Sequence, residues 1–263
     1  MAEFCSLYSG SDGNALFIKN KDTRILIDIG VSTKKVVAAL NNIGEDVSKL
    51  DGILISHEHA DHIYGVRVFF KRYGIPVYAN EGTWEKIDEF TKGEIPDSEK
   101  RYFKTNEVFS IKDIMIHPFD ISHDAVDPVG FNFFTEDKKI TTVTDLGYIN
   151  KDIVVAMEGS DFIFLESNHD RNMLEVGAYP WYLKKRIAGK KGHLSNDVAS
   201  RAVAYFASVG TEKFMLGHLS RNNNFPELAY ESVKNEVESK GMMMKNIDVA
   251  VANQDVVSEV KYI

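Results

Sequence analysis

The chain has 263 residues, 39 acidic against 31 basic side chains for a net charge of −8, 44% hydrophobic residues and one cysteine. That length and apolar fraction predict one folded domain over residues 1–263 with a sizeable core of its own, and they exclude disorder, collagen and coiled coil. Cys5 alone supplies neither a disulfide nor a thiolate zinc set, and the acidic balance excludes a broad basic nucleic-acid face while leaving room for a local one.

The opening residues, Met1 to Ser6, have no basic stretch followed by an apolar one, so no secretion signal is expected. No eighteen apolar residues run together, so no membrane insertion is expected and the localisation read from the sequence is cytoplasmic. Alternating or β-branched residues predict strands over 4–8, 15–18 and 24–29. The first two are joined by Ser9-Gly10-Ser11-Asp12-Gly13-Asn14, whose Gly and Asn residues permit a tight reversal. A helix is expected over 32–40, then an apolar strand over 52–55 that runs into Ser56-His57-Glu58-His59-Ala60-Asp61-His62. From Asp61 the pattern turns helical, with Ile63, Val66 and Phe70 on one face. A strand at Val77, a helix over 81–90 and strands around Tyr102 and Met115 follow.

The second half predicts strands over 129–135 and 140–144, a helix from Asn150, a strand over 161–165 and a polar segment to Tyr179. A helix over 196–209, a strand over 213–216, a helix over 226–240 and strands near Val249 and Val257 complete it. The simplest packing of that order is an α/β (α+β) fold of two mixed sheets with helices outside.

Eight histidines occur, and His57, His59 and His62 fall within six residues of one another. Directly after a buried strand, a loop can turn His57 and His59 to one side and Asp61 and His62 to the other, giving two adjacent nitrogen and oxygen ligand sets. Farther on, Ser122-His123, Asp145 and His218 each fall at or just after the C-terminal end of a predicted strand, where open sheets place their sites. Any one of them alone is weak evidence, since a lone Asp after a strand is more often a turn or helix-cap residue. Together they complete two sites: His57, His59 and His123 for one metal, Asp61, His62 and His218 for the other, with Asp145 able to bridge ions roughly 3.5–4 Å apart.

With these residues the chain resembles the metallo-β-lactamase superfamily, through Asp28 in Leu26-Ile27-Asp28-Ile29-Gly30, the His-x-His-x-Asp-His run at 57–62, His123, Asp145 and His218. The resemblance implies a four-layer αββα sandwich with a dinuclear site at one edge. It does not by itself choose the reaction. His59 stands where diiron oxidoreductases of the family carry glutamate, which speaks against redox chemistry, and no cysteine lies near a ligand position. A further histidine occurs in Gly192-His193-Leu194-Ser195-Asn196, just before a predicted helix, so backbone N–H groups and a partial positive charge would lie beside it. Lys184, Lys185, Arg186, Lys190 and Lys191 precede it. They read either as an anion-binding segment, with His193, Ser195, Lys190 and Lys191 touching substrate, or as a solvated helix face.

The phosphodiesterase and ribonuclease Z branch of the family carries a similar His-x-Ser/Thr motif at the scissile phosphate and a glutamate that assists it, to which Glu166 corresponds. Leu194, Ser167 and Asn168 depart from that pattern. The loop over 9–14, Asn168-His169-Asp170, residues 192–196 and His218-Leu219-Ser220 with Asn223-Asn224 resemble more narrowly the YycJ (WalJ) group of bacterial metallo-hydrolases, associated with DNA exonuclease activity and a cell-wall two-component signalling system. The expected function is therefore a phosphodiester hydrolase, a nuclease of exonuclease type, holding two zinc or manganese ions that lower the pKa of a bridging water to give hydroxide for in-line attack. Asp61 would orient that hydroxide, and His193 would bind a phosphate oxygen or protonate the leaving alkoxide with Glu166 behind it. Asp28 reads as a support for a ligand imidazole or as a turn residue, His169 as structural or catalytic, and His117 as structural. The competing readings are a carbon-ester or thioester hydrolase with the same ligands, and a metal-binding module for a signalling partner.

Overall fold

The computed structural model describes all 263 residues. In chain order the strands are β1 (Ala2–Tyr8), β2 (Ala15–Asn20), β3 (Thr23–Ile27), β4 (Gly52–Leu54), β5 (Val77–Ala79), β6 (Lys100–Tyr102), β7 (Phe109–Ile111), β8 (Ile114–Asp120), β9 (Val129–Phe134), β10 (Lys139–Val143), β11 (Phe162–Glu166), β12 (Lys213–Gly217), β13 (Asp248–Val251) and β14 (Lys261–Tyr262). The helices are α1 (Thr33–Asn42), α2 (Ala60–Ile63), α3 (Val66–Tyr73), α4 (Glu81–Thr91), α5 (Lys151–Met157), α6 (Arg171–Val176), α7 (Trp181–Ile187), α8 (Asn196–Ser208) and α9 (Pro226–Ser239). The strands form two mixed sheets of seven, one in the order β14-β1-β2-β3-β4-β5-β6 and the other running β7 to β13 in chain order. No helix is long and apolar enough to cross a membrane.

The chain divides into two compact units, residues 1–120 with 125–137 and 253–263, and residues 121–124 with 138–252. In the first unit β1, β2 and β3 form an antiparallel meander that continues in parallel through β4, β5 and β6. Its core gathers Phe17, Leu26 and Ile53 from the strands with Val36, Leu40, Phe69, Trp84 and Ile87 from the helices, all at most 1% exposed. In the second unit β10, β11, β12 and β13 are all parallel, with Val143, Leu165, Leu216 and Val251 in register. Strands buried on both faces need continuous apolar runs, which Phe162-Ile163-Phe164-Leu165 supplies.

Several local expectations change. The helical pattern expected from Asp61 is broken at Tyr64-Gly65 into α2 and α3, because Gly65 lies against the β3 end: its N–H donates to the Ile29 carbonyl at 2.8 Å, and a Cβ there would overlap the Val31 carbonyl and the Ile29 side chain. The restart turns Val66 and Phe69 into the core and leaves Phe70, expected there, only half-buried. The polar segment before Tyr179 contains α6, capped by Asp170, whose carboxylate accepts from the Met173 N–H at 2.8 Å. No strand forms at Val257. The chain instead ties back there by Ser258, whose hydroxyl accepts from the Ser6 N–H at 2.9 Å, and β14 pairs with β1.

Candidate metal centre

In the first unit, β4 delivers Ser56 and His57 from its C-terminal end, and α2 follows with His59 as its N-terminal cap residue and Asp61 and His62 in its first turn. His57 and His62 are fully buried, His59 and Asp61 half-buried. The rings of His57 and His59 lie 4.7 Å apart, and those of His57 and His62 lie 4.1 Å apart. Asp28, just after β3, adopts a left-handed φ of 62° and accepts from the Ser56 N–H, the Ser56 hydroxyl and His62 Nδ1, each at 2.8 Å. A proton fixed on His62 Nδ1 leaves Nε2 with a lone pair for a cation. Ser56 Oγ, having donated to Asp28, accepts from His57 Nδ1 at 3.0 Å, which gives His57 the same tautomer.

The loop over 9–14 is part of this arrangement. Asn14 Nδ2 donates to the Gly10 carbonyl at 3.1 Å and to the Asp61 carbonyl at 3.3 Å, and lies 3.1 Å from His62 Nε2. A metal at that nitrogen requires His62 to give up the Asn14 amide. Neither Asn14 nor Ser56 is a ligand type, so the histidine pattern passed over both. The available signals were the place of Ser56 directly before the motif and that of Asn14 at the end of the loop over 9–14.

In the second unit the parallel register of β10, β11 and β12 brings the residues that follow them to one edge. Asp145 and His218 follow β10 and β12 with left-handed φ values of 60° and 53°, and both are buried. Non-glycine residues in that region cost free energy and cluster at functional sites. Asp145 Oδ2 lies 3.1 Å from His218 Nδ1, and Oδ1 lies 3.8 Å from His123 Nε2 and 3.6 Å from His193 Nδ1. His123 places Nδ1 3.2 Å from the Gly192 carbonyl, which keeps the proton there and leaves Nε2 free of it.

Glu166, the last residue of β11 and 0% exposed, accepts from His193 Nδ1 at 2.7 Å, from the Leu194 N–H at 2.9 Å and from the Leu146 N–H at 3.1 Å. The donor atoms of Asp145, Glu166, His193 and His218 all lie within 4.8 Å of one another. The buried carboxylate of Asp145 beside His218 and beside His123, whose Nδ1 proton is held by a carbonyl, is the nitrogen and oxygen donor chemistry that divalent zinc or manganese takes. The residues therefore fit the metals expected.

A family model described as a beta-lactamase superfamily domain matches residues 23–219. The chain belongs to the beta-lactamase superfamily. Two superfamily relatives are each 38% identical to it: an exodeoxyribonuclease WalJ of Streptococcus pneumoniae over 236 residues, 89% of this chain and 88% of the relative, and an exodeoxyribonuclease YycJ of Bacillus anthracis over 238 residues, 90% of each. The metallo-beta-lactamase fold protein YhfI from Bacillus subtilis superposes over 98% of this chain and 100% of its own with a TM-score of 0.74 at 14% identity. The two seven-stranded sheets with flanking helices are thus the metallo-beta-lactamase fold that the sequence predicts.

Ser195 is buried at the start of α8, and its hydroxyl accepts from Arg171 Nε at 3.3 Å rather than capping the helix. Lys190 and Lys191 are exposed, Lys184 and Lys185 lie on α7, and Arg186 is paired with Asp124 at 2.5 and 3.2 Å. His117 is half-buried on β8. His169 is 1% exposed, and burial lowers its pKa to about 4.

Proposed function

We propose that the two residue sets serve one dinuclear centre in a single domain over residues 1–263, with His57, His59 and His123 on one ion, Asp61, His62 and His218 on the other, and Asp145 shared. The protein is a metal-dependent hydrolase of phosphodiester bonds, a nuclease of exonuclease type. The observation that carries this is the Glu166–His193 pair beside Asp145 and His218. A thioester expels a thiolate that needs little protonation and a carbon ester brings no anionic oxygen, whereas a phosphodiester brings both a charged non-bridging oxygen and an alkoxide leaving group, and a further imidazole held by a buried carboxylate can serve both. The relatives named exodeoxyribonuclease, matched over nine-tenths of the chain, support the same substrate class.

The ions, when bound, neutralise phosphate charge and lower the pKa of the attacking water towards neutrality. Asp61 orients that water for in-line attack. Glu166 fixes the His193 ring through Nδ1, so that Nε2 can donate to a non-bridging oxygen and then pass its proton to the leaving alkoxide as the P–O bond breaks. Asp28 holds His62. Ser195, Lys190 and Lys191 contribute to the substrate side. The resemblance to the YycJ (WalJ) group supports a cytoplasmic location and a link to a cell-wall two-component system.

The test is a substrate panel with zinc and manganese forms of the protein. It comprises labelled single- and double-stranded DNA and RNA with free or phosphorylated ends, an activated small phosphodiester, a thioester and a β-lactam. DNA and the small phosphodiester are expected to turn over best. Efficient thioester turnover without phosphodiester turnover would establish the ester hydrolase instead.

A further inference from the structure

Beside His193 the second unit carries a pocket of about 410 Å³, within the range of roughly 300–1,000 Å³ usual for small-ligand sites. Its walls come from α6, α7 and the start of α8, with Arg171, Trp181, Lys184, Lys185, His169 and Ser195 among them. Three cations line it against one carboxylate, Glu175. Each cation is set in place by a neighbour: Arg171 by Ser195 Oγ at 3.3 Å and Asp197 at 3.1 Å, Lys184 by the Glu175 carbonyl at 2.7 Å, and Lys185 by the Trp181 ring, whose centroid lies 5.3 Å from Nζ.

Two features of this pocket are unexplained by folding. Trp181 is 68% exposed, so its indole contributes little to the core. His169 is 1% exposed, yet its Nδ1 has no hydrogen-bond partner, and a buried polar atom left unpaired costs stability. An exposed aromatic face, a positively charged rim and an unpaired polar atom match a group with a π-face, an anion and hydrogen-bonding edges.

We propose that this pocket receives the terminal nucleotide of a DNA single strand, its base stacked on Trp181 and its phosphate side against Arg171, Lys184 and Lys185, with the next phosphodiester at His193. The inference rests on the nuclease function and adds to it which part of the substrate is held. A pocket of this volume takes one nucleotide and no duplex, and a base enters it only after leaving its stack. Ends that are single-stranded or frayed are therefore preferred over blunt paired ends, since a paired end must first give up its stacking and pairing.

Trp181 and the buried Trp84 are the two tryptophans of the chain, so fluorescence that a ligand quenches by stacking comes from Trp181. The full-length, metal-loaded protein is titrated with a DNA single strand carrying phosphorothioate terminal linkages that slow cleavage, with the same sequence as a blunt duplex, and with deoxyribose 5-phosphate. The single strand is expected to quench, the sugar phosphate to leave the signal unchanged, and the duplex to need a several-fold higher concentration. Trp181→Ala is expected to raise KM for an unmodified single strand by about five- to a hundredfold, the usual worth of one stacked base, with kcat little changed, and Trp181→Phe to restore most of the binding.

Equal binding of duplex and sugar phosphate, or a Trp181→Ala variant with an unaltered KM, overturns the proposal. The two inferences separate in the same experiment. A strand that quenches Trp181 yet is not cleaved by the wild type supports the pocket and removes the nuclease function. A strand cleaved alike by wild type and Trp181→Ala without quenching does the reverse.

Discussion

His193 and Glu166 separate chemistry from metal binding at the scale of single residues. The Glu166 carboxylate is already committed to the Leu146 and Leu194 N–H groups, so it presents a fixed acceptor to His193 Nδ1. His193→Ala is expected to keep both metals while turnover of DNA falls by about 10²–10⁴, the usual worth of a positioned acid–base group. Glu166→Gln should lower turnover less and also leave the metal content unchanged. Elemental analysis beside steady-state rates checks both, and loss of metal in His193→Ala would make it a ligand.

His169 gives a second residue-level expectation. Its pKa is lowered to about 4 by burial, against about 6.5 in an unfolded chain. The unfolded state therefore binds more protons between those values, and the contribution to stability is full above pH 6.5 and declines as pH falls towards 4, by about 3 kcal/mol at most. Urea unfolding at pH 7 and pH 4.5 should show that decline in the wild type and a smaller one in His169→Asn. An identical pH dependence in the two proteins would contradict it.

Among the elements, candidate residues follow the C-terminal ends of parallel strands within each unit, β3 and β4 in the first and β10, β11 and β12 in the second. This much was legible, because buried strands leave apolar runs and each ends in a ligand-type residue. The left-handed turns at Asp28, Asp145 and His218 were not, since backbone conformation there is set by what the side chain must reach. Nor were α6 and α7: α6 buries only Leu174 and α7 buries no residue fully, so neither shows an apolar period. The carboxylate support at His62 was legible from the motif as one of two readings of Asp28, whereas the Ser56 relay to His57 was not.

Both α7 and the loop after it carry the basic segment, and their exposure bears on its role. Arg186 is neutralised by Asp124, which leaves Lys184, Lys185, Lys190 and Lys191 for phosphates. Log affinity for duplex DNA should fall with log salt at a slope of about −0.9 per phosphate contact. Replacing Lys185, Lys190 and Lys191 by glutamine should flatten that slope and weaken polynucleotide binding, with hydrolysis of a small phosphodiester nearly unchanged. Unaltered DNA affinity in the triple variant would return the segment to a solvated face. Gly30 is constrained differently: a Cβ there would overlap the Asp61 carbonyl, so Gly30→Ala should displace the start of α2 and lower metal affinity, measurable by calorimetry.

For the whole molecule, a protein of net charge −8 that acts on a polyanion must confine its positive charge to one place and bring further charge as ions. The candidate ligands of each unit are buried or half-buried, and neighbours fix the tautomers of His57, His62 and His123. Metal count is therefore the property on which the proposed dinuclear centre stands or falls. The decisive measurement is a titration of the chelator-treated protein with manganese or zinc while digestion of a labelled DNA strand is followed. Activity is predicted to rise to a plateau at two ions per chain, with His59→Ala and Asp145→Ala each lowering the bound count. A plateau at one ion or none, or two bound ions with no hydrolysis of any phosphodiester, would contradict the dinuclear phosphodiesterase.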